Sequence, residues 1–207
     1  MSLRQMLTFL PLNSALLRRI LAGWVLALCA SAALTATAAP LAPPAPPAPP
    51  TFIAQELPMA RLAGQGNFTW FTLRIYHIQM WVGAAGYRQD APDAAPFLLD
   101  LRYARTLDGQ KIAEASASQM EKIGAGNSAQ RQAWRLKMIS IFPDVVEGDH
   151  LSGLFLPGIG ARFYLNGKVL AEVPDLEFAR AFFGIWLAPT STAPDLRHAL
   201  LQDAARP

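Results

Sequence analysis

The sequence predicts an α+β domain in which an antiparallel β-sheet carries helices layered on one face. Aromatic and β-branched residues, often alternating with polar ones, mark the strand-like segments. These segments lie at residues 62–82, 97–105, 151–156, 161–165 and 168–173. Asn166-Gly167 separates the last two and is a strong signal for a two-residue hairpin. Hairpins indicate antiparallel pairing, and helices grouped apart from them are typical of the α+β class.

Two segments at the start of this region are less regular. Residues 68–82 form a run longer than an ordinary strand, so we expect a bulge or a bend within it. Residues 51–60 are ambiguous, and a short edge strand is the structure that they fit best.

The most apolar helix is predicted from about Asp175, its N-cap, to Leu187, and Pro189 ends it. Apolar residues cover well over half of its circumference, whereas a surface helix needs only a stripe, so we expect burial on most sides. These residues are Leu176, Phe178, Ala179, Phe182, Phe183, Ile185 and Trp186. A second helix follows, with Pro194 in its first turn.

Two more helices are predicted in the middle of the chain. Asp108 caps one that runs to about Ile123, and Ser128 caps one that ends near Phe142, before a proline. The predicted element order is therefore β-β-α-α-β-β-β-α-α.

The first 38 residues have the layout of a secretory signal peptide. Three arginines without any acidic residue precede or flank the apolar run 20–34, and Ala36-Thr37-Ala38 offers a cleavage site. We expect cleavage near Ala38 and a periplasmic location; a permanent membrane anchor is the alternative. The proline- and alanine-rich residues 39–50 are expected to be a spacer, and residues 51–207 the domain.

Charge and cysteine content exclude several classes of function. The chain has 18 Lys and Arg against 15 Asp and Glu, and three of the arginines lie in the signal segment, so the mature protein is near neutral. No basic patch with interleaved aromatic residues occurs, which argues against nucleic-acid binding. Cys29 is the only cysteine, so a mature chain has neither a disulfide nor thiol chemistry. Membrane contact is expected only through an uncleaved signal segment, and no protein partner is indicated.

Signals for catalysis are sparse. The histidines, His77, His150 and His198, lack metal-ligand spacing, and the sequence contains no nucleophile elbow, P-loop or CxxC. We therefore expect neither a metal nor a cofactor.

A set of polar residues within apolar surroundings is the candidate binding site. Arginine and tyrosine on a sheet that faces apolar helices can hold a small acid or phenol by its polar end. The alternative is that these residues cover the solvent face of the sheet. The set comprises Arg61, Thr72, Arg74, Tyr76, Tyr103 and Tyr164.

Three separated segments carry a resemblance to one family. Gly66-Asn67-Phe68-Thr69-Trp70-Phe71-Thr72 resembles the G-N-F-x-K-F-T strand of chalcone isomerases. Residues 181–200, with Ala-Pro-Asp-Leu starting the last helix, are similar to the C-terminal helices of that family. Phe142-Pro143-Asp144 and residues 160–167 resemble bacterial chalcone isomerase-like proteins, which also carry signal peptides. The resemblance covers about residues 55–203 and implies an open-faced β-sandwich with a ligand cleft between sheet and helices.

The residues that surround the flavanone in the plant enzymes are only partly present. Arg61 matches the family's arginine with a one-residue deletion, and Thr72 matches its threonine. Ile112, Gln119 and Ile185 stand where the family has a tyrosine, an asparagine and a hydroxyl. The cleft is therefore more apolar than that of the enzymes and resembles the fatty-acid-binding members of the superfamily.

Two functions follow from this resemblance, with a structural or interaction role in the cell envelope as a third. The first is a non-catalytic binder of a fatty acid or similar amphipathic molecule. Arg61 or Arg74 would pair with the carboxylate, Thr72 and Tyr76 would add hydrogen bonds, and the tail would lie against Phe182, Phe183, Ile185 and Trp186. The second is an intramolecular lyase or isomerase acting on a chalcone-like or other enone or phenolic substrate, with Arg61 and Thr72 as its catalytic residues.

Overall fold

The computed structural model describes residues 47–205. The predicted signal peptide and most of the 39–50 spacer lie outside the described residues, so both stay predictions. Between residues 47 and 205, none of the helices is long and apolar enough to cross a membrane.

Six strands form one antiparallel sheet, in which each strand pairs with its neighbours in chain order from β1 to β6. The strands are β1 Arg61–Trp70, β2 Leu73–Val82, β3 Phe97–Tyr103, β4 His150–Leu156, β5 Gly160–Leu165 and β6 Lys168–Val173. The helices are α1 Thr51–Glu56, α2 Gly109–Lys122, α3 Ser128–Ile141, α4 Leu176–Leu187 and α5 Pro194–Leu200. The predicted α+β class with an antiparallel sheet is confirmed.

The two faces of the sheet have different cover. Side chains of α2, α3, α4 and α5 share one large apolar core with the inner face of the sheet. A smaller apolar cluster lies on the outer face, where Ile53 and Leu57 of the α1 region pack with Trp81, Leu98 and Tyr164. Four helices therefore form the predicted layer, and one short helix lies on the opposite face.

The prediction of an edge strand at residues 51–60 was wrong. Residues 51–56 form α1, which starts after Pro50. Ile53 and Leu57 are four residues apart, a helical spacing that brings both onto the outer face of the sheet, and both are fully buried. This burial stabilises the helix, and a segment this short carries no sequence signal that predicts it.

The long run at 68–82 is interrupted by a tight turn rather than by a bulge alone. Trp70 pairs with Leu73, so Phe71 and Thr72 form the turn between β1 and β2. Phe71 has a positive φ of 52°, which bulky residues rarely adopt, and this is why no turn was predicted there. The predicted hairpin turn Asn166-Gly167 is confirmed, and both of its residues have positive φ.

The helix caps agree with the sequence at most ends. Asp108 accepts hydrogen bonds from two amides at the start of α2, and Asp175 accepts one from Phe178 at the start of α4. The N-cap of α3 is Asn127 instead of the predicted Ser128, because Asn127 and Gln130 form a reciprocal capping box. The predicted burial of α4 is observed: eight of its twelve residues are buried.

Candidate functional site

A cavity of about 340 Å³ lies between the inner face of the sheet and helices α2 and α4. The sheet contributes residues from β1 to β5, and the α4–α5 connection closes one side. The lining residues are Phe68, Trp70, Ile75, Tyr76, Leu99, Leu101, Tyr103, Leu107, Lys111, Ile112, Ala115, Ser116, Gln119, Phe142, Leu151, Ser152, Gly153, Phe163, Phe182, Ile185, Trp186, Thr192 and Ala193.

Packed aromatic rings make the cavity wall mostly apolar. Phe182 of α4 contacts Phe163 of β5 edge to face, with ring centroids 5.0 Å apart, and also lies against Phe142. On the other side, Phe68 stacks on Tyr76 at 5.1 Å. Edge-to-face and offset pairs of this kind fix ring orientations in addition to burying area. The wall therefore has a defined shape and favours hydrocarbon.

Two tyrosines supply hydroxyl groups to this apolar space. The rings of Tyr76 on β2 and Tyr103 on β3 are edge to face, 5.8 Å apart. The Tyr76 hydroxyl accepts a hydrogen bond from the indole N–H of Trp186 at 3.1 Å. Burial raises the pKa of both phenols well above their usual value, because water no longer stabilises a phenolate. Both hydroxyls are therefore neutral hydrogen-bond donors at physiological pH.

Helix α2 provides further polar groups along the cavity edge. Among the described residues that line the cavity, Lys111 alone is charged; it is solvent-exposed. Ser116 donates its hydroxyl hydrogen to the Ile112 carbonyl within the helix. The Thr192 hydroxyl donates to Gln119 Oε1 at 2.7 Å and so links α2 to the α4–α5 connection.

Five of the predicted ligand-binding residues lie together in this cavity. They are Tyr76, Tyr103, Phe182, Ile185 and Trp186. Ile112 and Gln119, the residues aligned with the family's tyrosine and asparagine, also line it. Phe183 points elsewhere: it packs on Phe97 and Phe155 of the sheet.

The predicted cations and Thr72 are not among the lining residues. The Arg61 guanidinium donates to the carbonyl oxygens of Asp203 and Ala204, at 2.8 and 3.3 Å, and so holds the C-terminal turn. Thr72 and Arg74 are exposed at the β1–β2 hairpin end. Tyr164 packs under α1 on the outer face. The alternating pattern Thr72, Arg74, Tyr76 thus brings only its last member to the cavity.

Lys111 is the residue of chemical interest that the sequence prediction missed. Ile112 and Ser116 are four residues apart, so the sequence places them on one stripe of the predicted helix α2, and Lys111 precedes that stripe by one position. A lysine beside such a stripe can reach the cavity edge with its long side chain. Asp108 marks where the helix starts and therefore which residues flank the stripe. Lys111 is one of these flanking residues, so the sequence contained the information needed to include it.

Comparisons with known proteins agree with this architecture. The family model described as chalcone isomerase-like matches residues 57–202, which include all six strands and helices α2 to α5. This chain belongs to the chalcone isomerase-like family. The resemblance drawn from the three sequence segments is thereby confirmed.

Two relatives indicate how far this likeness extends. An uncharacterized protein of Haemophilus influenzae is 32% identical over 138 residues, which cover 67% of this chain. This chain spans 66% of that relative's length, slightly less than two-thirds. The crystal structure of the Arabidopsis thaliana fatty-acid binding protein AtFAP1 is similar with a TM-score of 0.54 and 12% identity, covering 72% of this chain and 89% of that chain. Because the identity is so low, this similarity establishes the fold alone.

Proposed function

We propose that this chain is an exported protein that binds a fatty acid or a similar amphipathic small molecule in the cavity between sheet and helices. One observation carries the proposal: an apolar cavity of about 340 Å³ has a lysine at its edge and two buried phenols in its wall. Ligand pockets commonly combine apolar walls with a few polar groups that orient the ligand.

The polar groups suit a carboxylate, which only accepts hydrogen bonds when ionised. Tyr76 accepts from Trp186, so its own hydroxyl hydrogen is available to a ligand. The Tyr103 hydroxyl makes no hydrogen bond to another described residue, although the side chain is only 3% exposed. Lys111 supplies the positive charge, and its ammonium group has no hydrogen bond or ion pair with another described residue.

The walls suit a single hydrocarbon chain. The cavity lies near the lower end of the usual range for small-molecule pockets, about 300–1,000 Å³. This volume favours one acyl chain over a lipid with two. We assign the tail to the apolar wall around Leu101, Phe163, Phe182 and Ile185.

The name of the structural neighbour, a fatty-acid binding protein, agrees with this proposal but does not carry it, because the likeness is one of fold. The export part rests on residues 1–38 of the sequence. N-terminal sequencing of the chain recovered from the periplasm would test it: a new terminus after Ala38 is expected, and an intact terminus would contradict export with cleavage.

Native mass spectrometry of the purified chain, followed by denaturation and analysis of released molecules, tests ligand binding. We expect a single-chain carboxylic acid in stoichiometric amount. Lys111→Gln should weaken its affinity about tenfold, the loss typical of one charge-assisted contact. Lys122→Gln is the matched control, because Lys122 lies on the same helix but not on the cavity. Protein that is empty and gains no mass when offered fatty acids would contradict the proposal.

An intramolecular lyase or isomerase is the second candidate, and the free Tyr103 hydroxyl favours it. A neutral phenol beside a bound enone can stabilise the negative charge that develops on its oxygen. The proposed residues are then Tyr76 and Tyr103 instead of Arg61 and Thr72. Loss of the enone absorbance of an added chalcone, abolished by Tyr103→Phe, would establish this activity; an unchanged spectrum would exclude that substrate.

A further inference from the structure

The tip of the β1–β2 hairpin presents an exposed apolar cluster. Trp70, Phe71 and Leu73 are 63%, 91% and 51% exposed. The rings of Trp70 and Phe71 stack on each other with centroids 6.2 Å apart. We call these three residues the hairpin tip.

Folding does not account for Phe71. Its side chain is almost wholly in solvent, and its positive φ carries a steric penalty that a glycine or an asparagine would avoid. The β5–β6 hairpin, by contrast, has Asn166-Gly167 in its turn. A bulky aromatic residue that is strained and contributes little burial indicates a role outside the folded chain.

The hairpin tip adjoins the cavity and is accompanied by positive charge. Trp70 is both exposed and part of the cavity lining. Arg74 follows the tip directly, and the side chains of Arg74 and of Lys111 at the cavity edge have no hydrogen bond or ion pair with another described residue. Arg105 follows Ala104, whose N–H donates to the Ile75 carbonyl at 2.9 Å.

Acidic residues also lie at this edge. Asp144 Oδ1 accepts a hydrogen bond from the Gly109 N–H at 2.9 Å, the Asp149 carbonyl accepts one from the Tyr103 N–H at 2.8 Å, and Glu147 is exposed in the same turn as Asp149. Asp108 stands at the start of α2, and its carboxylate accepts hydrogen bonds from the amides of Gln110 and Lys111. The carboxylates of Asp108, Asp144 and Asp149 all accept hydrogen bonds from neighbouring residues, whereas the Arg74 side chain is exposed and has no such partner among the described residues. Arg74, directly beside the tip, is therefore a cation that is available to an anionic headgroup.

We propose that the hairpin tip inserts into the surface of an anionic lipid bilayer. Tryptophan and phenylalanine favour the interface between headgroups and acyl chains, and arginine and lysine beside them attract anionic headgroups. A second copy of the chain fits less well, because three side chains bury at most about 600 Å², below the roughly 1,000 Å² of a stable interface. The membrane contact rests on the tip itself and is independent of what the cavity binds.

A fluorophore at the tip tests this in the full chain. In a Cys29→Ser background, Thr72→Cys carries an environment-sensitive label, and Gln132→Cys on α3 carries the same label as a control. The chain is reconstituted into vesicles of phosphatidylcholine with phosphatidylglycerol, or of phosphatidylcholine alone. We expect a blue shift at position 72 with anionic vesicles, a smaller one with neutral vesicles, and none at position 132. Because the label reports on the tip itself, a shift at position 72 distinguishes insertion of the tip from membrane binding by the N-terminal segment.

Phe71→Gly distinguishes lipid contact from a folding role. Glycine accepts a positive φ, so the melting temperature should hold or rise, while partitioning of the tip falls about tenfold or more because a phenylalanine side chain no longer enters the bilayer. Ile159→Ser, at another exposed apolar residue, should leave the label response unchanged. An unshifted label at position 72 on anionic vesicles would overturn the proposal. So would a shift that depends on protein concentration without lipid, which indicates a second copy.

Discussion

The indole N–H of Trp186 donates a hydrogen bond to the Tyr76 hydroxyl, 3.1 Å away, and this bond joins α4 to β2 at the cavity wall. The neighbouring Tyr103 hydroxyl has no comparable bond to another described residue. The two phenols in the same wall therefore differ in how much their hydroxyl groups contribute to stability. Tyr76 satisfies a buried donor, whereas Tyr103 is free to meet a ligand.

Removing each hydroxyl separates these roles. Tyr76→Phe leaves the buried indole N–H of Trp186 without an acceptor, so we expect the free energy of unfolding to fall by about 1–3 kcal/mol. Tyr103→Phe should change it by less than about 0.5 kcal/mol, because no bond is lost in the protein. Urea unfolding measures both values. Equal losses for the two variants would contradict the distinction.

Gly64 is predicted to be intolerant of any side chain. A Cβ atom there would overlap the backbone carbonyl oxygens of Ala199 and Leu200, where α5 crosses β1. Gly64→Ala should therefore cost about 3 kcal/mol of unfolding free energy, because neither backbone can move without undocking α5. Gly83→Ala is the control: its Cβ would lie at an ordinary 3.4 Å from the Pro58 carbonyl. Similar unfolding midpoints for the two variants would be inconsistent with this close approach.

A buried carboxylate on the outer face predicts a pH-dependent contribution to stability. Asp100 is 2% exposed and accepts hydrogen bonds from Ser152 Oγ at 2.6 Å and from His150 Nδ1 at 2.7 Å. The Asp100 bond raises the pKa of His150 above its usual 6.5, against the opposing effects of burial and Arg102. A raised folded-state pKa stabilises the fold fully below about pH 6.5, and this contribution is lost as the pH rises through the raised value.

The comparison of wild type with His150→Asn measures this effect. The difference in unfolding free energy should be largest below about pH 6.5 and should shrink at higher pH. His77 provides an internal contrast, because burial and Arg74 lower its pKa, so His77→Asn should give the opposite slope. A His150→Asn difference that does not change with pH would show that the ion pair is not formed.

Local chemistry was enough to predict much of the fold. Asn166-Gly167, Asp108 and Asp175 act through residues two to four positions away, so their turn and caps could be read directly. The apolar circumference of α4 likewise predicted its burial. The strand patterns and these local signals together were sufficient to predict an antiparallel α+β fold.

The errors arose where distant contacts decide the outcome. The α1 segment is helical because Ile53 and Leu57 pack under the far side of the sheet. Arg61 binds carbonyls 142 and 143 residues later in the chain, and strand alternation cannot reveal such a partner. Phe71 turns the chain without the usual turn residues, and Thr72 and Arg74 lie exposed at the hairpin that results.

Calorimetric titration with a long-chain fatty acid tests the central claim most directly, provided that a residue lining the cavity is also substituted. Ser116 lines the cavity, so Ser116→Phe would fill part of it with a ring, whereas Ser118→Phe places the same ring on the exposed side of α2. We predict binding of one acid per chain to wild type and Ser118→Phe, and affinity at least about tenfold lower for Ser116→Phe. Equal affinity in all three proteins would place the ligand elsewhere and contradict the proposed function.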